Sequence, residues 1–337
     1  MKIEWLTSGS SHFWIEDNYF NGGAVYESQV RKILRHEHKL EVVYLTRGED
    51  RSKLNKIIKF GKYLLKSAFI KFSGDIVIRD VFSTVFAPFD KKRKNIVLLH
   101  HLDFPKNKNV IFYVFLKKLF LTRLHLADRI VVVSNYWKEL LKKFGYSKIK
   151  VIHNSFDLSL FAFDQNELSG FKKRLKIPSN KPIIYLGNAR SDKGFLQSYE
   201  ALSGLDALFW ASGKDKVNIP IIQAFFSYRD YLNFLKISTL AITMSRFHEG
   251  WCRTAHEAML CGTPVIGSGK GGMKELLEGG DQIICSDFVK LKEIVPNLLN
   301  NKKKLGEMSF KGKKFAEQFS LDYFKQKWLD LVAELEK

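Results

Sequence analysis

A chain of 337 residues, 45% hydrophobic and 14% aromatic, has the length of about two domains and enough apolar surface for two cores, which excludes a disordered chain. Its formal charge is +20, and the excess is uneven: residues 1–150 hold 29 Lys/Arg against 14 Asp/Glu, net +15, and the remainder nets only +5. Three irregularly spaced cysteines, Cys252, Cys261 and Cys285, exclude a disulfide framework and a CxxC metal site and point to a reducing compartment.

The chain opens directly on a strand-like run, with no apolar segment of the kind that marks a signal peptide. The longest uncharged apolar stretches, 110–116 and 219–228, fall short of the roughly 18–20 residues that span a bilayer. The expected location is the cytoplasm, with room for peripheral placement on the inner face of a membrane.

In chain order, strands are expected at 2–6, 41–45, 76–78, 95–99, 129–133, 150–152, 182–186, 208–211, 221–225, 239–242, 264–266 and 282–284. Helical patterns lie between most of them, for example at 26–35, 135–144, 228–236 and 252–260. Strands of near-continuous Val, Ile and Leu that alternate with helices predict an α/β chain of parallel sheets covered on both faces. Two such sheets suit the length, with a boundary in the polar stretch 154–181. The last segment, 320–337, reads as one amphipathic helix, with Phe324, Trp328, Leu331 and Leu335 at helical spacing and Ser320 as N-cap.

The stretch 245–278 carries the most chemistry: a strand end, a loop with Glu249-Gly250, a helix with Glu257, a buried strand, a loop with Gly267, Gly269, Gly271 and Gly272, and a helix with Glu275. Two helix N-termini thus open from loops at the C-terminal ends of parallel strands, where open α/β sheets bind ligands and where free N–H groups favour an anion such as phosphate. Glu249 and Glu257 lie at most about 12 Å apart along a helix. A hydrolytic acid/base pair needs about 5–9.5 Å between carboxyls, so these two are better placed to hold two ends of one long polar ligand.

Glu249-Gly250, Glu257-Ala258-Met259, the run from Cys261 to Ile266, Gly271-Gly272 and Glu275 together resemble the donor-site signature of retaining GT-B glycosyltransferases of the family-4-like group, whose E-x7-E motif the two glutamates form. The resemblance implies two Rossmann-like doubly wound parallel-sheet domains facing across a cleft, with the C-terminal helix crossing back. It implies an acceptor-binding domain over 1–155, a linker over 156–180, a nucleotide-sugar domain over 181–319 and the returning helix over 320–337. Glu249 then lies by the donor sugar and Glu257 holds the ribose hydroxyls. Tyr185 to Gly194 resembles the strand and loop that open the second domain, in which an Arg after the Gly and a Lys before the closing Gly stabilise the departing diphosphate. Lys193 matches that Lys. Asn188 stands in the Arg position after Gly187, and Arg190, two residues on, is the replacement the resemblance offers. Gly22-Gly23 resembles the glycine loop facing the diphosphate. His100, delivered with His101 and Asp103 by the strand at 95–99, matches the His near the transferred sugar, with His101 as the alternative. Trp251-Cys252-Arg253 stands where the family often has Phe-Gly-Leu. The expected donor contacts are therefore Gly22, Gly23, Gly187, Asn188, Lys193, Glu249, Gly250, Trp251, Glu257, Gly271 and Gly272, and the expected catalytic set is His100, Glu249, Lys193 and Arg190. No Asp-x-Asp occurs in the chain, so no metal and no cofactor are expected beyond the nucleotide-sugar substrate.

The basic half contains one basic amphipathic pattern at 53–72, opening at Lys53 and closing at Phe72. Leu54, Ile57, Ile58, Phe60, Leu64, Leu65, Ala68 and Phe69 fall on one side, and Lys56, Lys59, Lys62 and Lys66 on the other. A second candidate runs over 110–126, from Val110 to Leu126, with Lys117, Lys118 and Arg123. In the family this domain receives the acceptor, so a glycan or lipid-linked acceptor on an anionic membrane surface is expected. Competing readings are a GT-B protein of other activity (epimerase, phosphorylase or inactive nucleotide-sugar binder) and a nucleic-acid binder. Against the latter, the chain has no helix-turn-helix, RRM or zinc-finger pattern and no aromatics interleaved with basic residues.

Overall fold

The computed structural model describes residues 1–7, 22–45, 53–102, 110–213, 218–224 and 226–336, which divide into two compact units. Asp103, Phe225 and Lys337 lie outside the described residues, as do the side chains of Leu54, Lys56, Ile57 and Lys59.

The first unit comprises Met1–His153 and Phe324–Lys337. Its sheet contains β1 (Lys2–Thr7), β2 (Lys39–Tyr44), β3 (Ile76–Arg79), β4 (Lys94–Leu99), β5 (Arg129–Val132) and β6 (Ile149–Val151), all parallel, in the order β2-β1-β3-β4-β5-β6. Sandwiched strands must be apolar on both faces, and Ile76, Val77 and Ile78 in succession are buried. On one side, Val97, Leu99, Ile130 and Val132 meet Leu116, Phe120 and Leu124 of the helix Val110–Leu124 together with Trp137 and Leu141. The helix Gly22–Glu37 buries Tyr26, Val30 and Leu34.

The final helix, Leu321–Glu336, starts where expected: Ser320 Oγ accepts the Tyr323 N–H at 3.2 Å. From Phe324 onward it is part of the first unit's core. Phe324 and Trp328 meet the Tyr26 ring edge-on at 4.9 and 6.3 Å, and Lys325 pairs with Glu37 at 2.8 Å.

The second unit spans Asn154–Tyr323. Its parallel sheet contains β7 (Ile183–Asn188), β8 (Leu208–Ser212), β9 (Ile222–Ala224), β10 (Leu240–Thr243), β11 (Val265–Gly267) and β12 (Ile283–Ile284), in the order β12-β11-β10-β7-β8-β9. The order reverses between β7 and β10, which makes their carboxyl ends the switch point where such sheets open a crevice.

Residues 156–180, expected as a linker, are instead folded into this unit. Phe156, Phe161, Leu168 and Phe171 are buried, and the stretch contains the helix Gln165–Arg174. Glu167 on that helix is held by Arg229 at 2.8 Å and by Asn233 at 2.7 Å, which pulls its carboxyl down to about 2. The polar composition hid four aromatic and aliphatic anchors that need a partner surface.

The basic helix also differs from a simple packed amphipath. It spans Lys53–Ala68; among its described side chains Tyr63 and Ser67 are buried, whereas Ile58 and Leu65, and Phe69 just past its end, are exposed, Phe69 at 79%. On the helix Val110–Leu124, Val114 and Phe115 are likewise exposed.

Candidate functional site

The chemistry-bearing residues of the second unit gather at the ends of β7 and β10. Gly187 takes φ +83, where a side chain is strained. The chain then makes a tight turn, Ser191–Lys193, closed by Gly194 at φ +68. A Cβ on Gly194 would stand 2.2 Å from the Met244 carbonyl oxygen, so only glycine lets the turn lie against the end of β10. The Arg246 N–H donates to the Asp192 carbonyl at 2.9 Å and fastens the two loops together.

That contact brings Lys193 to Glu249. The ammonium donates to Glu249 Oε1 at 2.6 Å and lies 4.6 Å from the centre of the Phe247 ring. The Ser245 hydroxyl donates to the same oxygen. Glu249 is buried at 6% exposure, so its charge requires this ammonium and hydroxyl.

Glu249 is also tied through its backbone to the glycine loop after β11. Its N–H donates to the Lys270 carbonyl at 3.2 Å, and its own carbonyl accepts the Gly272 N–H at 2.9 Å. Gly271 lies between them at φ +69, paired with Glu249 as an isolated parallel bridge. The first glutamate of the motif and the paired glycines are therefore one hydrogen-bonded structure, from which the helix Gly272–Gly279 starts.

Glu257 sits on the helix Arg253–Leu260, whose N-cap, Cys252, adopts φ 73, ψ 71. That is the left-handed region, and the family glycine expected at this position would adopt it without strain. Burial pushes the Cys252 thiol up to about 12, so it is no nucleophile at neutral pH. The Glu257 carboxylate accepts the Tyr228 hydroxyl on Oε1 and the Tyr231 hydroxyl on Oε2, each at 3.1 Å, with Arg253 at 3.7 Å from Oε1. Burial raises its carboxyl above the ordinary range. The Arg253 guanidinium stands 4.1 Å from the Phe156 ring centre and donates to the Ser155 carbonyl at 3.2 Å.

Three expected contacts are placed differently from the others. The Trp251 indole is 2% exposed, donates to His256 Nδ1 at 2.8 Å and packs on Phe319 at 5.1 Å. The indole is a core anchor. The neighbouring Gly250 is also buried. Arg190 is exposed and paired with Asp192 at 2.5 Å, and the side chain of Asn188 lies over Gly213. Neither is brought onto Glu249 with Lys193.

In the first unit, Gly22 and Gly23 open the helix after β1, and His100 follows β4. A Cβ on Gly23 would be 3.3 Å from His100 Cδ2, so the glycine lets the imidazole close in on the helix start. His100 Nε2 lies 3.5 Å from Glu27 Oε1, and its ring meets Tyr26 edge-on at 5.2 Å. Glu27 continues to Arg31 at 3.4 Å. His101 is exposed, and Asp103 is outside the described residues.

Sequence reasoning missed Ser245, Tyr228, Tyr231 and Glu27. Each is buried or half-buried against a residue that was named, yet a lone Ser, Tyr or Glu in a periodic pattern carries no signal until its partner is known.

The paired ammonium and carboxylate, the glycine-lined helix start and the tyrosine-held carboxylate all lie in the second unit, and groups of these kinds suit anions and hydroxyls. Two family models match this chain: "Glycosyltransferase Family 4" over residues 25–160 and "Glycosyl transferases group 1" over residues 170–315. An uncharacterized glycosyltransferase of Methanocaldococcus jannaschii is 24% identical over 210 residues, covering 58% of this chain and 56% of that protein's own length. Sucrose-phosphate synthase from Thermosynechococcus elongatus aligns over 99% of both chains at 15% identity with a TM-score of 0.78. HepE of Anabaena, solved with UDP and glucose, aligns over 99% of this chain and 100% of its own at 17% identity with a TM-score of 0.71. At those identities the structural matches establish the fold.

Proposed function

Since this chain belongs to the family-4-like group of GT-B glycosyltransferases, we propose that it moves a hexose-type sugar from a nucleotide-diphosphate sugar to an acceptor hydroxyl, with retention at the anomeric carbon and without a metal ion. The observation that carries this reading is the Lys193–Glu249 pair at 2.6 Å, joined through Glu249 to Gly271 and Gly272. A departing diphosphate needs fixed positive charge and N–H groups that require no reorganisation, and Lys193 with the start of the helix Gly272–Gly279 supplies both. Glu249 is already engaged by Lys193 and Ser245, which supports attack by the acceptor itself, on the face where the diphosphate leaves, over attack by an enzyme carboxylate. Glu257 holds the ribose, and His100 beside Gly23 serves the transferred sugar. Lys193 takes the charge-stabilising role alone or with Arg190 freed from Asp192. The UDP and glucose bound by HepE support a nucleotide-sugar donor.

The test is a screen of purified protein against UDP-, GDP-, ADP- and dTDP-sugars, reading free nucleotide release and sugar incorporation. Acceptor-dependent release with one donor class is the expected result. Transfer of the sugar to inorganic phosphate as the nucleotide leaves, or a sugar that is only epimerised, would replace transfer to an acceptor by another GT-B activity.

The acceptor is proposed to be a glycan or lipid-linked molecule met at an anionic membrane surface. Exposed Leu65 and Phe69 beside Lys62 and Lys66, and exposed Val114 and Phe115 near Lys117 and Lys118, support it. Each basic residue near such a surface is worth about 1 kcal/mol. No helix among the described residues is long and apolar enough to cross a membrane. Sedimentation with vesicles containing phosphatidylglycerol is expected to carry the protein down, and raised salt is expected to release it. Equal binding to neutral vesicles, or none to either, would return the +15 of the first half to a solvated surface.

A further inference from the structure

We propose that Tyr228 and Tyr231 are positioning residues that set the Glu257 carboxylate to accept a ribose 2′,3′-diol, making this site selective for ribonucleoside diphosphates over 2′-deoxy ones. This rests on the reading of Glu257 as the ribose-holding group.

Glu257 is 7% exposed, and burial favours its protonated form. A protonated carboxyl offers one donor, and its remaining oxygen cannot serve both hydroxyls of a diol equally. The Arg253 charge opposes that tendency most, and the two phenols add to it, each donating to a different carboxylate oxygen at 3.1 Å. The phenols act as donors, since burial raises both further above their usual range. Arg253, 3.7 Å from Oε1, adds positive charge without occupying a hydrogen-bonding direction at close range. A carboxylate oxygen accepts about two hydrogen bonds. One tyrosine on each oxygen leaves one direction on each, a spacing that suits the two cis hydroxyls of ribose.

The pair is held rigidly enough for this role. Residues 228 and 231 are one helical turn apart on Tyr228–Ile237, and their rings stack at 6.1 Å and 24°. Ser227 caps that helix by accepting the Asp230 N–H at 3.1 Å. Arg229, between the two tyrosines, is clamped to Glu167. A 2′-deoxyribose would leave one buried oxygen of Glu257 without its second donor, the situation in which polar sites discriminate best.

The experiment is calorimetric titration of the full chain with UDP, GDP and ADP and with their 2′-deoxy counterparts. Wild type, Tyr228→Phe, Tyr231→Phe, the double variant and Glu257→Gln are compared, with thermal melts to confirm folding. Wild type is expected to prefer the ribonucleotide by about tenfold or more. Each phenylalanine is expected to lose part of that ratio, and the double variant and Glu257→Gln to lose nearly all of it, chiefly through weaker ribonucleotide binding. A purely packing role for the tyrosines would leave the ratio unchanged. A folded double variant with the wild-type ratio therefore overturns the proposal, as does wild type that binds both sugars equally. Should the double variant not fold, the two single variants decide by the same ratio. Wild type that binds no nucleoside diphosphate at all is a different result, which removes the donor reading itself.

Discussion

Replacing Lys193 by alanine is expected to lower turnover about a hundred- to a thousandfold, the scale of losing one preorganised stabiliser of developing charge. Lys193 is itself a quarter exposed, but its ammonium is the partner of the buried Glu249, so the melting temperature is expected to fall as well. The loss should fall in kcat more than in the donor KM, because the diphosphate gains charge as the glycosidic bond breaks. Removal of the ammonium also takes a close donor from the buried Glu249, which loosens its aim. Lys193→Arg is expected to recover part of the rate, because it keeps the charge with altered reach. Steady-state kinetics with the donor found in the screen, next to a thermal melt, reads both effects. Wild-type turnover in a folded alanine variant would remove Lys193 from the mechanism.

The second large effect is structural. In Gly271→Ala the added Cβ would stand 2.4 Å from the Glu249 carbonyl oxygen and 2.7 Å from its nitrogen, at φ +69. Backbone on both sides cannot yield as a flexible side chain does, so the loop must part from Glu249, at a cost of about 2–4 kcal/mol. Nucleotide binding is expected to fall with stability, because the same movement separates Glu249 from the Gly272 N–H. Gly306→Ala is the matched control: it lies inside the helix Lys302–Ala316 with nothing within 4 Å of the new methyl. That variant is expected to gain about 0.5–1 kcal/mol from helix propensity and to bind normally. Denaturant titration of the two variants, with nucleotide titration of each, distinguishes a close-packed site from general intolerance of glycine replacement. Equal stability of the two would contradict the geometry of the Glu249–Gly271 bridge.

The elements most legible in the sequence were those whose signal is local. Ile76-Val77-Ile78 and Arg129 to Val132 announce buried strands by composition alone, since a parallel strand is apolar on both faces. Ser320 announced its helix by N-cap chemistry. The glutamate spacing and the glycine pair pointed to one ligand site for the same reason: both are short-range patterns. The fate of 156–180 was not legible, because Phe161, Leu168 and Phe171 reveal a packed segment only once the helix Tyr228–Ile237 is beside them. The exposure of Leu65 and Phe69 was hidden in the opposite sense. Their spacing fits a buried face, and it is the choice of Tyr63 and Ser67 as the packed positions that turns them outward.

The amino-acid sequence by itself determined the α/β architecture and the number and place of the strands among the described residues, and it singled out Glu249, Glu257 and Lys193 as candidate site residues. Only the tertiary structure decided who partners whom. Lys193 and Glu249 are 56 residues apart and meet because β7 and β10 are neighbours in the sheet, with Gly194 allowing the close approach. Tyr228 and Tyr231 reach Glu257 across 29 and 26 residues for the same kind of reason. It turned Trp251 into the core and gave Arg190 to Asp192. Local patterns report which face of an element is buried, but a buried carboxylate finds its donors through the order of strands in the sheet, which no window of sequence contains.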